Sequence, residues 1–368
     1  MTGDPGRIIP LIYNKKTGKP VFQSPNSFVA PACKACNHEF SALEGRAKTV
    51  ITALLAGVPI TEDGSSVLLD WLDKVRIGLW LTDMLRNPDY QFVKPRFHVA
   101  QRVGLKDRCV LMIVTDCNRK GLSISGTSSL SFHLRPSCFG LGINHLYFVN
   151  VSREHLFGHR LGFPVLVDRH YTNKWWLAGS LRKGTGKPKI PVFRREVPLE
   201  HLAMFQPCFS DQSPAMLEMI RDPAFASHRT YGIDGRAKVF SETGQLMFAS
   251  GSSRKKIDFS SQQRYPREFL QLAIPLIVAD IQDWMDDADL STEMLNIERR
   301  QAVRQLVRAG RKSNANLIAR RIAPKIVELS KSFDPELARA ARKVLRVAEK
   351  YERRARRSEE QDRLPKRE

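Results

Sequence analysis

The run Cys109-Val-Leu-Met-Ile-Val-Thr115 indicates a β-strand. Short apolar runs that are rich in β-branched residues and bounded by turn-forming residues are typical of strands. Similar runs occur at residues 130–134, 146–151 and 163–167, and Gly, Asn, Asp or Pro bounds them. We therefore expect residues 94–260 to form an antiparallel β-rich region, with helices packed beside its sheet.

A helical pattern precedes this β-rich region. Within residues 40–55 apolar side chains recur every three or four positions, and residues 62–85 repeat the pattern until an Asn-Pro pair stops it. The spacing of Ser41 and Glu44 fits a capping box, in which the two side chains satisfy backbone N–H groups at a helix start. The sequence thus predicts two helices, the first beginning near Ser41.

Further helices are predicted after the β-rich region. The apolar periodicity places them at residues 265–288, 290–308, 314–332 and 334–357. The last has a specific start signal, because Asp334 is a preferred N-cap residue and Pro335 fits the first helical position. The C-terminal part of the chain is therefore expected to be helical.

The chain has an unusual surplus of positive charge. Its 368 residues contain 59 Lys and Arg against 38 Asp and Glu, which gives a formal net charge of +21. Such a surplus narrows the expected partners to polyanions, with nucleic acid first and an acidic membrane surface or acidic protein after it. A hydrophobic fraction of 42% is enough for folded domains with buried cores, so disorder of the whole chain is not expected.

Composition also bears on compartment and membrane topology. The longest apolar stretch, residues 269–281, is interrupted by polar residues and is shorter than the roughly 20 residues of a membrane-spanning helix. Six cysteines in a chain of this length do not make a disulfide scaffold, and no secretory signal opens the sequence. We expect a cytoplasmic protein without a membrane span.

The positive charge is concentrated in two segments. Residues 291–368 hold 22 Lys and Arg against 11 Asp and Glu, a net charge of +11. Residues 169–195 combine cations with Trp and Tyr and contain no acid, a composition that binds phosphates and stacks bases. The candidate nucleic-acid-binding residues are Arg169, Lys174, Trp175, Arg182, Lys183, Lys187, Lys189, Arg342, Lys343, Arg346, Arg353 and Arg354. Two alternatives stay open, since the tryptophans can belong to the core and a charge run is usually a solvated face.

We assign no catalytic role to three other groups of residues. Five aspartates within residues 280–289 suggest a metal site, but acids spread along a helix end usually form a solvated face. His155 and His159 are four residues apart, but they do not form an HExxH motif and Gly158 weakens any helix between them. Residues 183–188 lack the pattern of a phosphate-binding loop and are interpreted as a basic turn.

The sharpest local motif is Cys33-Lys-Ala-Cys36-Asn37. A CxxC turn can present two thiolates to one tetrahedral metal, whereas structural zinc needs four ligands. A redox dithiol is an alternative, although Pro31-Ala32 precedes the motif where such a site has a buried strand. On the motif alone, a metal knuckle and a pair of ordinary thiols are both open.

The continuation of the motif, Cys33-Lys-Ala-Cys36-Asn37-His-Glu-Phe-Ser-Ala-Leu-Glu44, resembles the second half of the zinc-knuckle module of HNH endonucleases. In that family the CxxCN motif is followed by Phe-Ser-x-x-Glu. The resemblance implies a ββα fold and metal-assisted hydrolysis of phosphodiester bonds. It also implies that Cys33 and Cys36 bind a structural Zn²⁺. Asn37 is then the central asparagine, and His38 or Glu44 lies near a catalytic Mg²⁺ or Mn²⁺.

The resemblance covers residues 29–54 and lacks the first half of the module. No CxxC and no Glu-His pair precedes Cys33, so two zinc ligands and the histidine that acts as general base are not found in this chain. Three explanations stay open. The chain begins inside a longer product, the module has lost its first half and with it cleavage, or Cys109, Cys117 or a distant histidine completes the zinc site.

These observations predict an α+β protein in three parts. Residues 1–93 form a truncated ββα zinc-knuckle-like module with two helices, residues 94–260 the central antiparallel β-rich region, and residues 261–368 a helical region with a basic tail. We expect a DNA-acting protein of a bacterium, phage or mobile element, related to HNH endonucleases. The alternative is a non-catalytic DNA- or RNA-binding protein with a degenerate or structural zinc knuckle.

Overall fold

The computed structural model describes residues 9–10, 34–86, 107–116, 120–127, 129–134, 136–153, 165–171, 177–182, 197–206, 247–248, 262–290 and 297–363. The strands are β1 (Ile9–Pro10), β2 (Asp107–Thr115), β3 (Leu122–Ser125), β4 (Cys138–Ile143), β5 (Leu146–Arg153), β6 (Val165–Tyr171), β7 (Leu177–Arg182), β8 (Leu202–Gln206), β9 (Met247–Phe248) and β10 (Arg264–Tyr265). The helices are α1 (Lys34–Leu55), α2 (Glu62–Arg86), α3 (Leu130–Leu134), α4 (Arg267–Leu290), α5 (Ile297–Leu317), α6 (Ala323–Leu329) and α7 (Pro335–Arg363).

Most of the strands belong to one mixed sheet. Its order is β1-β3-β4-β5-β2-β8-β9, and β10 pairs with β2. Neighbouring strands run antiparallel, except for the short pairings of β1 with β3 and of β10 with β2. Strands β6 and β7 form a separate antiparallel hairpin. The α+β class and the helical C-terminal region that the sequence predicts are confirmed.

The central strand β2 is buried on both faces of the sheet. Side chains alternate between the two faces along a strand. Cys109 and Leu111 pack on one face with α4 and the helices that follow it, and we call this the α4 side. Val110 and Met112 pack on the other face with α1 and α2, and we call this the α2 side. The continuous apolar run of β2 follows from this burial on both sides.

Two glycines allow α4 to lie close against the sheet. A Cβ added at Gly140 of β4 would be 2.8 Å from Cγ2 of Ile274. Gly126, which follows β3, has a φ of +83°, and a Cβ there would collide with a side chain of α4. The amide of Gln282 donates to the carbonyl oxygens of Gly126 and Cys138, at 2.9 and 2.8 Å. Helix α4 therefore has a fixed position relative to the sheet and can serve as a platform for the helices beyond it.

The prediction of a strand at residues 130–134 is wrong, because this segment is helix α3. The Oγ of Ser129 accepts the backbone N–H of Phe132 at 3.1 Å, which is the bond of an N-cap. The indole of Trp80 on α2 donates to the carbonyl oxygen of His133 at 3.0 Å. Contacts to other layers stabilise the helix, although the alternation of polar and apolar residues favours a strand.

Helix α1 begins earlier than the sequence predicts. It already includes Lys34, so Ser41 lies inside the helix and does not cap it. The carboxylate of Glu44 accepts a hydrogen bond from Nζ of Lys74 on α2 and does not close a capping box. The periodic signal began only at Phe40 because this is the first buried residue that the structure describes in α1.

The start of α7 is confirmed in detail. Oδ1 of Asp334 accepts the backbone N–H groups of Glu336 and Leu337, at 2.9 and 3.2 Å. Pro335 is the first residue of the helix, as expected from its fixed φ. The predicted break near residues 309–313 is wrong, because α5 runs through it and a π-helical turn, Ile318–Ile322, joins α5 to α6.

The predicted division into three domains stays a prediction, since both of its boundaries lie outside the described residues. Within the described part, the sheet shares one core with α1 and α2 and another with α4 and the C-terminal helices. None of the described helices is both long and apolar enough to cross a membrane.

Candidate functional site

Helix α7 has a buried side and a cationic side. Ala341, Val344 and Tyr351 are among the residues that pack into the core on the α4 side. Five exposed cations run along the helix away from that core, and we call them the cationic stripe: Arg339, Lys343, Arg346, Arg353 and Arg357. Their spacing keeps them within about 80° of one another around a helix of 3.6 residues per turn. The stripe is about 27 Å long at a rise of 1.5 Å per residue.

The C-terminal helices as a whole expose more cations than acids. Further exposed cations in residues 304–360 are Arg304, Lys312, Arg320, Arg321, Lys325, Lys331, Arg342 and Arg356. The exposed acids described in the same range are Glu328, Asp334, Glu336, Glu349 and Glu360. Exposed cations therefore outnumber exposed acids in the described part of residues 304–360, and the potential around these helices is positive.

Two other cations of α7 are held by a buried carboxylate. Nζ of Lys350 donates to Oδ2 of Asp280 at 3.0 Å, and Nη1 of Arg354 donates to Oδ1 at 2.8 Å. Asp280 is fully buried in α4, so these bonds anchor the second half of α7. Arg354, a predicted nucleic-acid-binding residue, is thus engaged inside the protein. The five residues of the stripe remain the exposed cationic line.

The interpretation of residues 280–289 as a solvated acidic face is wrong for two of the aspartates. Asp280 and Asp283 are both buried, and Asp283 pairs with Arg311 of α5. A sequence signal for this burial exists, because Asp280 follows the buried Ile277 by three residues and therefore lies on the same side of α4. No three His, Cys, Asp or Glu side chains converge as metal ligands would within the described residues.

Tyr351 lies in the same interface between α7 and its neighbours. Burial raises the pKa of its phenol above the usual range, and the negative charge of Asp283 adds to that effect. The phenol therefore stays protonated and packs as part of the core, so it is not a candidate acid or base for surface chemistry.

The predicted metal and catalytic residues lie at the beginning of α1. Asn37 and His38 are exposed there, and Cys36 belongs to the same part of the helix. Cys33 lies outside the described residues. Glu44 is exposed further along the helix, where Lys74 binds its carboxylate. Asn37 and His38, which are consecutive in the sequence, are thus both exposed near the beginning of α1, and Glu44 is in an ion pair.

Cys109 does not complete a metal site at this helix start. Its side chain is buried on the α4 side of the sheet, whereas α1 and α2 pack on the α2 side. Burial raises the pKa of its thiol, as it does for the neighbouring Cys138. Cys117, the other cysteine considered for this role, lies outside the described residues.

The basic segment that contains Trp175 is described only in part. Arg169 lies in β6, and Arg182 is the last residue of β7. The other predicted nucleic-acid-binding residues of this segment lie outside the described residues: Lys174, Trp175, Lys183, Lys187 and Lys189. Their role in binding stays a prediction.

An ion cluster that the sequence analysis missed is buried between α2 and the sheet. Asp73 and Arg76 are both 0% exposed and pair at 3.0 Å, and Nη1 of Arg76 also donates to the carbonyl oxygen of Pro136. Arg108 of β2 pairs with Asp73 at 3.7 Å and with Asp70, whose side chain is partly exposed. The cluster therefore connects α2 to the sheet with charges that compensate one another.

We interpret this cluster as structural because its central side chains are enclosed. A sequence signal for it exists, since Asp73 and Arg76 follow the buried Leu69 and Leu72 by four residues each. Asn150 of β5 is also fully buried, and its side-chain amide has no hydrogen-bond partner among the described residues. These polar groups are enclosed in the core, and we assign no binding role to them.

No protein-family model, curated protein or solved structure matches this chain. The assignment of a function therefore depends on the charge, burial and hydrogen bonding of its own residues.

Proposed function

We propose that this protein binds DNA through the cationic stripe of α7. The observation that carries the proposal is the placement of five exposed cations along one helix whose other side is packed in the core. Each phosphate that such a cation neutralises releases counterions, so affinity accumulates along the stripe without any base being read. Binding of this kind is independent of sequence and weakens steeply as the salt concentration rises.

The charge of the chain as a whole supports the same proposal. A net charge of magnitude about 2–8 is enough to keep a small domain soluble, and residues 291–368 alone carry +11. A surplus of this size favours a polyanionic partner over a merely solvated surface. We propose a cytoplasmic protein of a bacterium, phage or mobile element, a location in which it has access to DNA.

The double substitution Lys343→Gln/Arg346→Gln tests the proposal. Both residues are exposed, so the fold should be retained while two phosphate contacts are lost. The slope of log affinity against log salt concentration is expected to become shallower by about 1.8, at about 0.9 per phosphate. Affinity for duplex DNA should fall by about tenfold in low salt. Fluorescence anisotropy at several salt concentrations measures both quantities.

The matched control is Arg46→Gln/Lys48→Gln. These two residues are exposed on α1, which packs on the other side of the sheet, and their replacement removes the same two charges. The control should keep the affinity and the salt slope of the unmodified protein. Equal losses in the two variants would mean that net charge, and not the stripe, governs binding.

As a second function we propose that the start of α1 corresponds to the second half of an HNH-type nuclease module, a truncated ββα zinc knuckle. The exposure of Asn37 and His38 supports it, because cleaving groups have to reach a phosphate. Cys33 and Cys36 would supply two ligands to a structural Zn²⁺. Mg²⁺ or Mn²⁺ near His38 would stabilise developing negative charge when bound. Glu44 fits this role less well, since Lys74 already neutralises it.

Metal analysis and plasmid nicking test this second proposal. If side chains outside the described residues supply the two missing ligands, we expect about one zinc per chain in the purified protein, and its loss in the Cys33→Ser/Cys36→Ser variant. We also expect nicking that requires Mg²⁺ or Mn²⁺ and that falls about 10–100-fold in Asn37→Ala, a typical cost for a group that orients a metal site. Asn316→Ala, at an exposed position of α5, is the matched control. Zinc-free protein, or nicking that Asn37→Ala leaves unchanged, contradicts the proposal.

A further inference from the structure

We infer that the cationic stripe takes double-stranded rather than single-stranded DNA, an inference that rests on the proposed binding of DNA. Proteins that hold single strands combine cations with exposed aromatic side chains, on which the unpaired bases stack. In a duplex the bases are already stacked on one another, and cations alone can hold its phosphates. The kind of side chain beside the stripe therefore indicates which form of DNA it fits.

The C-terminal helices offer no base-stacking platform beside the stripe. Residues 297–363 contain only two aromatic side chains, Phe333 and Tyr351. Tyr351 is 1% exposed and belongs to the core. Phe333 is fully exposed, at 106%, but it lies in the turn before α7, next to Asp334 and close in sequence to the exposed Glu336. Carboxylates repel phosphates, so this ring is poorly placed to receive a base from a strand bound along the stripe.

The stripe is also preorganised. Asp334 caps the first turn of α7, and the bonds from Lys350 and Arg354 to the buried Asp280 fix the second half of the helix. Its length of about 27 Å corresponds to about 8 base pairs at 3.4 Å per pair. A duplex presents its phosphates along a stiff path and loses little freedom on such a line, whereas a flexible single strand has to be ordered on it.

The test compares a duplex of about 16 base pairs with a single strand of the same length and sequence. At an ionic strength of about 0.1 M we expect the duplex to bind at least tenfold more tightly. Duplexes shorter than about 8 base pairs should bind more weakly, because they do not cover the stripe. Lys343→Gln/Arg346→Gln should weaken duplex binding, and Phe333→Ala should leave the affinities for both forms unchanged.

The outcomes separate this inference from the proposal beneath it. If Lys343→Gln/Arg346→Gln weakens the binding of the single strand as much as that of the duplex, or if Phe333→Ala weakens binding, the duplex inference is overturned while binding of DNA stands. If neither form binds even in low salt, the proposed function is overturned together with the inference. A circular dichroism spectrum of each variant confirms that a lost affinity does not come from a lost fold.

Discussion

Replacing Asp73 by alanine is expected to lower the free energy of unfolding by about 3–5 kcal/mol. Arg76 of α2 is fully buried between this helix and the sheet, and the carboxylate of Asp73 pairs with it at 3.0 Å and with Arg108 at 3.7 Å. The variant removes the charge that neutralises Arg76, and the guanidinium cannot reach water unless α2 moves away from the sheet. Unfolding in guanidinium chloride, followed by tryptophan fluorescence and by circular dichroism, measures the change.

Two further variants show whether burial causes the effect. Glu44→Ala removes a carboxylate from the more exposed pair with Lys74 and should cost below about 1 kcal/mol. Asp73→Leu/Arg76→Met replaces both buried charges by apolar side chains and should recover a large part of the loss, because the penalty comes from leaving one charge alone. A loss under about 1 kcal/mol for Asp73→Ala would show that the cluster does not hold its charges as described.

The elements that the sequence predicts correctly are those with local signals. The apolar run of β2, the periodic stripe of α2 and the cap at Asp334 each depend on residues that are close together in the chain. The prediction of a strand at residues 130–134 is wrong, since this segment is a helix whose contacts include a residue far away in the sequence. Oγ of Ser131 donates to Asp286, which is 155 positions away in the sequence. Alternation of polar and apolar residues does not reveal such a contact.

The same limit applies to the candidate nucleic-acid interface. Composition shows that α7 is rich in cations, and Lys343, Arg346 and Arg353 are both predicted binding residues and members of the exposed stripe. Composition does not show which of these cations already form hydrogen bonds or ion pairs within the protein. Arg354 binds Asp280, and Arg342 donates to the carbonyl oxygen of Ser330 at 3.3 Å. The total charge of a helix can be counted from the sequence, whereas packing determines which of its charged side chains are accessible to a partner.

Replacing Asp280 by alanine is expected to lower the free energy of unfolding by about 3 kcal/mol, since hydrogen bonds to charged groups contribute about 1.5–3 kcal/mol each. Asp280 accepts one such bond from Lys350 and one from Arg354, and it is itself fully buried. The loss should stay below the sum of the two bonds, because the side chains of Lys350 and Arg354 are partly exposed and can turn to water. Denaturant unfolding measures this change.

Amide exchange distinguishes a local effect of Asp280→Ala from a general one. The bonds to Asp280 come from two residues that are four positions apart on α7, so the amides of residues 347–358 should lose more protection than those of α2, on the other side of the sheet. Glu352→Ala is the matched control, because its pair with Arg356 lies at the surface with a separation of 3.7 Å and should contribute below about 1 kcal/mol.

If Asp280→Ala leaves these amides as protected as before, core packing alone holds α7. If they exchange faster, the rigidity of the cationic stripe depends on the buried carboxylate of Asp280 in α4. Duplex affinity should then fall in this variant although every cation of the stripe is retained.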